Sequence, residues 1–196
     1  MERKAKDPTC TFLTEFQAAK SAARNPPQGR ALTSKWKPPE ANYLKLNVDA
    51  CYNEHLNHYS VGGALRDNQG RLLLAFGKQI SKPNSVLMGE LEAIHEGIKL
   101  LYDKHFHDVQ VTTDSLLAVQ AVTTSQDDIS YVGLRASVIK DLVQEPVVSN
   151  FFYENKLANH VAHSIALFSS CSHSSFVWKN GEFPLWLVNL VTLDLS

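Results

Sequence analysis

A chain of 196 residues, 44% of them hydrophobic, can bury one sizeable core. Its 19 Lys and Arg against 20 Asp and Glu give no overall field for a polyanion, so any nucleic-acid partner would have to be held by a local patch. This composition excludes a disordered or fibrous chain. Three cysteines, Cys10, Cys51 and Cys171, show no CxxC spacing, which argues for reduced thiols and against a disulfide framework or zinc finger.

The N-terminal residues are charged from Glu2 to Asp7 and lack the apolar core of a signal peptide. The most apolar stretch, FPLWLVNLVTLDL, is too short for a membrane span. A soluble intracellular protein without a membrane partner is the expectation. PTCTFLTEFQAAKSAAR predicts a helix, and the Pro- and Gly-containing NPPQGRALTSKWKPPEAN predicts a linker. Residues 1–42 therefore form a helix and a basic linker, residues 43–172 the main domain, and residues 173–196 a tail packed on it or extending from it. Within the linker, Trp36 stands between Lys35 and Lys37, an arrangement that suits either base stacking or docking onto the domain.

In YLKLNVDA, Leu44, Leu46 and Val48 alternate with Lys45, Asn47 and Asp49, the period-2 pattern of a strand with one face buried and Asp49 closing the other. Asp is a poor strand former, so something must hold that carboxylate. HYSVGGALRD and RLLLAFGKQI flank an Asn-Gln-Gly turn and complete an antiparallel meander over 44–80. The Gly62–Gly63 pair lies in a strand, without GxGxxG and without a following helix, which rejects a nucleotide cofactor and suggests close strand packing.

SVLMGELEAIHEGIKLLYDK is a helix with Leu87, Leu91, Ile94, Ile98 and Leu101 on one stripe. At roughly 100° per residue, Glu90 falls on the shoulder of that stripe, whereas Glu92 and Glu96 fall far from it, so only Glu90 points toward the sheet. DVQVTTD is a strand that ends on Asp114 as the first ends on Asp49. If these two strands pair in parallel, Asp49 and Asp114 meet at the carboxyl edge with Glu90 beside them. Three such carboxylates repel one another and call for a hard divalent cation. SLLAVQAV and YVGLRASVIKDLVQ read as helices and VVSNFFYE as a strand. LANHVAHSIALFSS reads as a last helix with Leu157, Val161, Ile165 and Phe168 on one side. His160 and His163, at i and i+3, could chelate zinc but lack a further ligand at suitable spacing, so they read as a surface pair. A mixed sheet flanked by helices is the resulting α/β architecture.

LKLNVDA, SVGGALRDNQGRLL, GELEAIHEGIKLL and VQVTTDS follow in order the pattern of a ribonuclease H-like domain. The chain resembles the plant reverse-transcriptase-like family derived from non-LTR retrotransposons. SKWKPPEANYLKLN resembles that family's lead-in, LANHVAHSIALF its final helix, and FVWKNGEFPLWLVNLVTLD its tail. The resemblance implies a five-stranded ribonuclease H sheet, three antiparallel strands followed by two parallel ones. It also implies hydrolysis of the RNA strand of an RNA–DNA hybrid by two Mg²⁺ ions on Asp49, Glu90, Asp114 and the residue at position 163. That residue is an Asp in the family pattern and His163 here, which favours Mn²⁺ over Mg²⁺. The same resemblance puts Ala50, Cys51, Lys156 and Asn159 at positions that contact nucleic acid, Ala50 replacing a Gly and Lys156 an Arg. Tyr153 stands in place of a histidine that assists product release. A monomer that acts on hybrid or structured RNA is expected. The alternative is a retroelement-derived module that binds nucleic acid with weakened or no catalysis.

Overall fold

The computed structural model describes residues 35–53, 58–126, 128–143 and 147–195. The helix expected over residues 8–24, most of the linker and Cys10 lie outside the described residues. Strands β1 (Leu44–Asn53), β2 (His58–Arg66) and β3 (Leu72–Ile80) form the expected meander. Helix α1 (Val86–Asp103) then leads to β4 (Val109–Thr113). Helices α2 (Leu116–Thr123) and α3 (Tyr131–Leu142) precede β5 (Val148–Tyr153), and α4 (His160–Ser172), β6 (Phe176–Lys179) and α5 (Leu185–Asp194) complete the chain.

The strands lie in the order β5-β4-β1-β2-β3-β6, with β1, β4 and β5 mutually parallel and the other pairings antiparallel. The sheet has six strands where five are expected. The extra strand comes from the tail, where the FVWK segment covers the edge that β3 would otherwise leave open. Among the described residues no helix is long and apolar enough to cross a membrane.

Each face of the sheet carries its own core. On one, Leu46, Val48, Val61 and Phe76 meet Leu91, Ile94, Ile98 and Leu101 of α1 together with α2 and α3. On the other, Ala64 and Ala75 meet Val161 and Ile165 of α4 and Leu187, Leu190 and Val191 of α5. This second layer corrects the expectation that β1 has one buried face. Lys45, Asn47 and Asp49 alternate away from the aliphatics, yet all three are buried, because α4 packs over them. Nor does Asp49 close the strand. β1 continues to Asn53 against β2, and only its pairing with β4 stops, at Asn47 and Thr112.

Two glycines matter for this packing. A Cβ on Gly62 would stand 2.3 Å from the backbone nitrogen of Ala166, so the bare backbone lets α4 lie directly on the sheet. Gly62 thus serves helix-on-strand contact, while its neighbour Gly63 makes room for the Phe76 ring of the adjacent strand. In the β2–β3 turn, Gly70 takes a φ of 78°, and Asp67 Oδ1 accepts from the backbone N–H groups of Gln69 and Arg71, both at 2.9 Å.

Helix α4 begins three residues later than its apolar pattern suggests. Asn155 Oδ1 accepts from the Leu157 N–H at 2.9 Å and builds a turn there, so Leu157 is exposed, outside the stripe formed by Val161 and Ile165. Trp36 is 3% exposed. Its Nε1–H donates to Asn47 Oδ1 at 2.9 Å, so its ring docks on the domain and is not free to stack a base.

Candidate metal centre

Asp49 is carried by β1 beyond the end of its pairing with β4, and Asp114 follows the last residue of β4. The parallel register therefore delivers both to one edge of the sheet. Glu90 comes from the first turns of α1 and is buried against them. Glu92 and Glu96 turn elsewhere, Glu92 to Arg135 of α3 and Glu96 to Lys78 at 2.7 Å. Asp49, Glu90 and Asp114 each offer a carboxylate oxygen, and these atoms all lie within 4.8 Å of one another. Asp49 is 3% and Glu90 7% exposed, and Asp114 is half-buried.

Few neighbours offset this concentration of charge. Ala50 N–H donates to Asp49 Oδ1 at 2.9 Å, Thr113 Oγ1 to Glu90 Oε2 at 3.3 Å, and Asn159 Nδ2 to Asp114 Oδ1 at 3.3 Å. Burial, followed by the charges of Asp49 and Asp114, pushes the Glu90 carboxyl up to about 9 against the pull of Thr113 and Lys156. Asp114 is also raised above the usual carboxylate range, by burial and then by Asp49. A carboxyl held this far up is one that lacks its counter-charge. An all-oxygen donor set of three mutually repelling carboxylates fits a hard divalent cation.

His163 reaches the cluster from α4. Its Nδ1 lies 2.6 Å from Asp49 Oδ2. His160, one turn earlier, points the other way, with Nδ1 3.2 Å from Asp194 Oδ1. The two imidazoles thus serve different carboxylates and do not form the surface pair that their spacing suggests. Glu92, His95 and Glu96 also come close enough to share an ion, but Arg135 and Lys78 already neutralise the two carboxylates.

Of the positions expected to touch nucleic acid, Lys156 is exposed near the cluster and Ala50 is half-buried. Cys51 is buried, its thiol pushed up to about 12 by that burial and by Asp49 and Cys171. Asn159 is 1% exposed and turns its amide inward, to the Val48 carbonyl at 2.9 Å and to Asp114. Tyr153 is exposed at the end of β5. Sequence reasoning misses the polar groups beneath the cluster, Lys45, Asn47, Glu154, Arg66 and Asp194. Their one readable signal is a polar residue at the inward position of a strand or helix, as with Arg66 after the apolar run VGGAL.

A family model described as reverse transcriptase-like matches residues 47–169. No curated protein matches. Among solved structures, ribonuclease H1 from the halophilic archaeon Halobacterium salinarum is 16% identical, with a TM-score of 0.55 over 68% of this chain and 100% of that one. LC11 ribonuclease H1, in complex with an RNA/DNA hybrid, is 17% identical, with a TM-score of 0.53 over 62% and 92%. The prototype foamy virus protease-reverse transcriptase is 13% identical, with a TM-score of 0.52 over 74% of this chain and 23% of the viral one. These likenesses establish a ribonuclease H-like fold.

Proposed function

The chain belongs to the reverse transcriptase-like family, and on that premise we propose that it is a metal-dependent nuclease acting on the RNA strand of RNA–DNA hybrids. The observation that carries this reading is the convergence of Asp49, Glu90 and Asp114 within 4.8 Å at the carboxyl edge of the sheet. Two of the similar structures support it: one is a ribonuclease H1 bound to an RNA/DNA hybrid, and the other is a viral reverse transcriptase.

In this reading Asp49, Glu90 and Asp114 hold the cations, with His163 at the fourth position through its contact with Asp49. When bound, two divalent ions supply the Lewis acidity that phosphodiester hydrolysis needs. Asn159 orients Asp114, and Ala50 N–H orients Asp49. Exposed Lys156, close enough to lower the Asp114 and Glu90 carboxyls, meets the phosphate backbone. Recognition goes through shape and the RNA 2′-hydroxyls more than through bases. Because an imidazole suits a softer ion, Mn²⁺ supports more cleavage than Mg²⁺. The Trp36-Lys37-Pro38-Pro39 lead-in and the Asp194-bearing tail, both similar to the family's, support descent from a plant non-LTR retroelement.

A second reading, binding of hybrid or structured RNA without cutting, is favoured by one observation: a histidine, not a carboxylate, sits on Asp49. Incubating a labelled hybrid with the protein in Mn²⁺ or Mg²⁺, beside Asp114→Asn, separates the two. Cleavage lost in the variant supports the nuclease, and retained hybrid binding with no cleavage in either metal supports the binding module.

A further inference from the structure

The segments flanking the family match, around Trp36 and Asp194, are joined beneath the carboxylates at one buried side chain, Asn47, the first directly and the second through Arg66. Its Oδ1 accepts from Trp36 Nε1 at 2.9 Å and from Arg66 at 3.1 Å. Its Nδ2 donates to Glu154 Oε2 at 2.8 Å and to Asn159 Oδ1 at 3.2 Å. Arg66 is fully buried, its Cζ lies 3.7 Å from the centre of the Trp36 ring, and its NH1 donates to Asp194 Oδ2 of α5 at 2.6 Å.

An amide has one accepting and one donating end, and rotating it by a half-turn exchanges them. Two donors hold the oxygen of Asn47, so its nitrogen has to face Asn159 and Glu154. That nitrogen in turn holds the oxygen of Asn159. The nitrogen of Asn159 is left to face Val48 O at 2.9 Å and Asp114 Oδ1 at 3.3 Å. Reversal of either amide would bring donor against donor, or oxygen against oxygen, in a region without exposure, where an unmet polar group costs about 1–3 kcal/mol.

We propose that Asn159 is a positioning residue for Asp114, and that its amide is aimed by a buried relay from both flanks of the family match: Asp194 holds Arg66, Arg66 and Trp36 hold Asn47, and Asn47 holds Asn159. Its link to metal rests on the nuclease reading above, whereas the aim of the amide does not. Through Asp194 and Arg66, the relay gives the C-terminal helix α5 a hand in the geometry of the three carboxylates. It also accounts for a buried arginine–aspartate pair where an apolar pair would serve packing as well.

The decisive variant reverses the polarity of the relay without changing net charge: Asn47→Asp combined with Glu154→Gln. Residue 47 still accepts from Trp36 and Arg66, and residue 154 now donates to it, but nothing donates to Asn159 Oδ1. Two quantities are read. In metal-free protein, exchange of the Asn159 side-chain amide protons, followed by NMR, is expected to accelerate at least about tenfold. Calorimetric Mn²⁺ affinity is expected to fall about 10- to 100-fold, the usual effect of losing a partner that orients a ligand. Trp36→Phe removes one donor to Asn47 while keeping an aromatic ring under Arg66. It is expected to shift both quantities less in the same direction, and it decides the matter if the double variant does not fold. Unchanged amide exchange overturns the relay. Faster exchange in a protein whose wild-type form binds no Mn²⁺ supports the relay and overturns the nuclease reading.

Discussion

His163 Nδ1 on α4 lies 2.6 Å from Asp49 Oδ2 on β1, so the imidazole meets a carboxylate of the candidate metal centre directly. His163→Asp would set a second carboxylate against Asp49. Without metal the two repel, and the variant is expected to melt lower than wild type. With Mg²⁺ the added oxygen ligand is expected to tighten binding about tenfold, roughly 1.4 kcal/mol, and to raise hybrid cleavage. Melting curves with and without Mg²⁺ check this. A variant that is destabilised and gains nothing from Mg²⁺ assigns His163 a purely structural role.

Glu90 makes the stability of the metal-free protein depend on pH. Its folded pKa of about 9 lies above the ordinary 4.5, so the folded state holds this proton more tightly than the unfolded state. The contribution of this group to stability is therefore full below about 4.5 and is lost as pH rises toward about 9, because the unfolded chain binds fewer protons across that window. Urea titrations of wild type and Glu90→Gln between pH 5 and 9 are expected to show the decline in the first and a flatter profile in the second. Saturating Mn²⁺ should flatten the wild-type profile as well, since a bound cation favours the ionised carboxylate.

Gly62→Ala tests the contact that brings α4 to the sheet. Its new Cβ would stand 2.3 Å from Ala166 N, a backbone atom that cannot swing aside. Overpacking of this kind costs about 1–3 kcal/mol. Helix α4 carries His163 and follows directly on Asn159, so Mn²⁺ affinity is expected to fall together with stability. Denaturant unfolding and calorimetry measure the two. Loss of stability with wild-type affinity would mean that α4 does not set the site.

Arg66 and Asp194 separate packing from positioning. Asp194→Ala leaves a buried guanidinium without its carboxylate and is expected to cost about 3–5 kcal/mol. Arg66→Met with Asp194→Leu removes both charges and is expected to regain most of that stability. It also takes away a donor to Asn47, so its Mn²⁺ affinity is expected to stay below that of wild type. Recovery of both quantities would reduce the pair to a packing element.

Much of this arrangement is legible in local pattern. Alternation in 44–49 and 109–114, with a helix between, is enough to place two parallel strands, and the stripe from Leu87 to Leu101 singles out Glu90. The hidden parts depend on what covers a surface. Nothing in LKLNVDA reports that α4 will bury Lys45 and Asn47, because period-2 alternation distinguishes two faces and not what each face meets. The FVWK strand is short and pairs with a segment about a hundred residues earlier, so no local period marks it. Asn155 delays α4 through a turn that competes with its apolar stripe. The Arg66–Asp194 bond spans 128 residues and is invisible to any window.

Whether Asp49, Glu90 and Asp114 hold divalent ions is decided by calorimetric titration of Mn²⁺ into the full chain near pH 7. Wild type is expected to take up Mn²⁺, and Asp114→Asn, folded and no less stable without metal because a repelling charge has gone, is expected to take up little or none. Absence of Mn²⁺ binding by wild type, or equal binding by the variant, would show that these carboxylates are not the ligands.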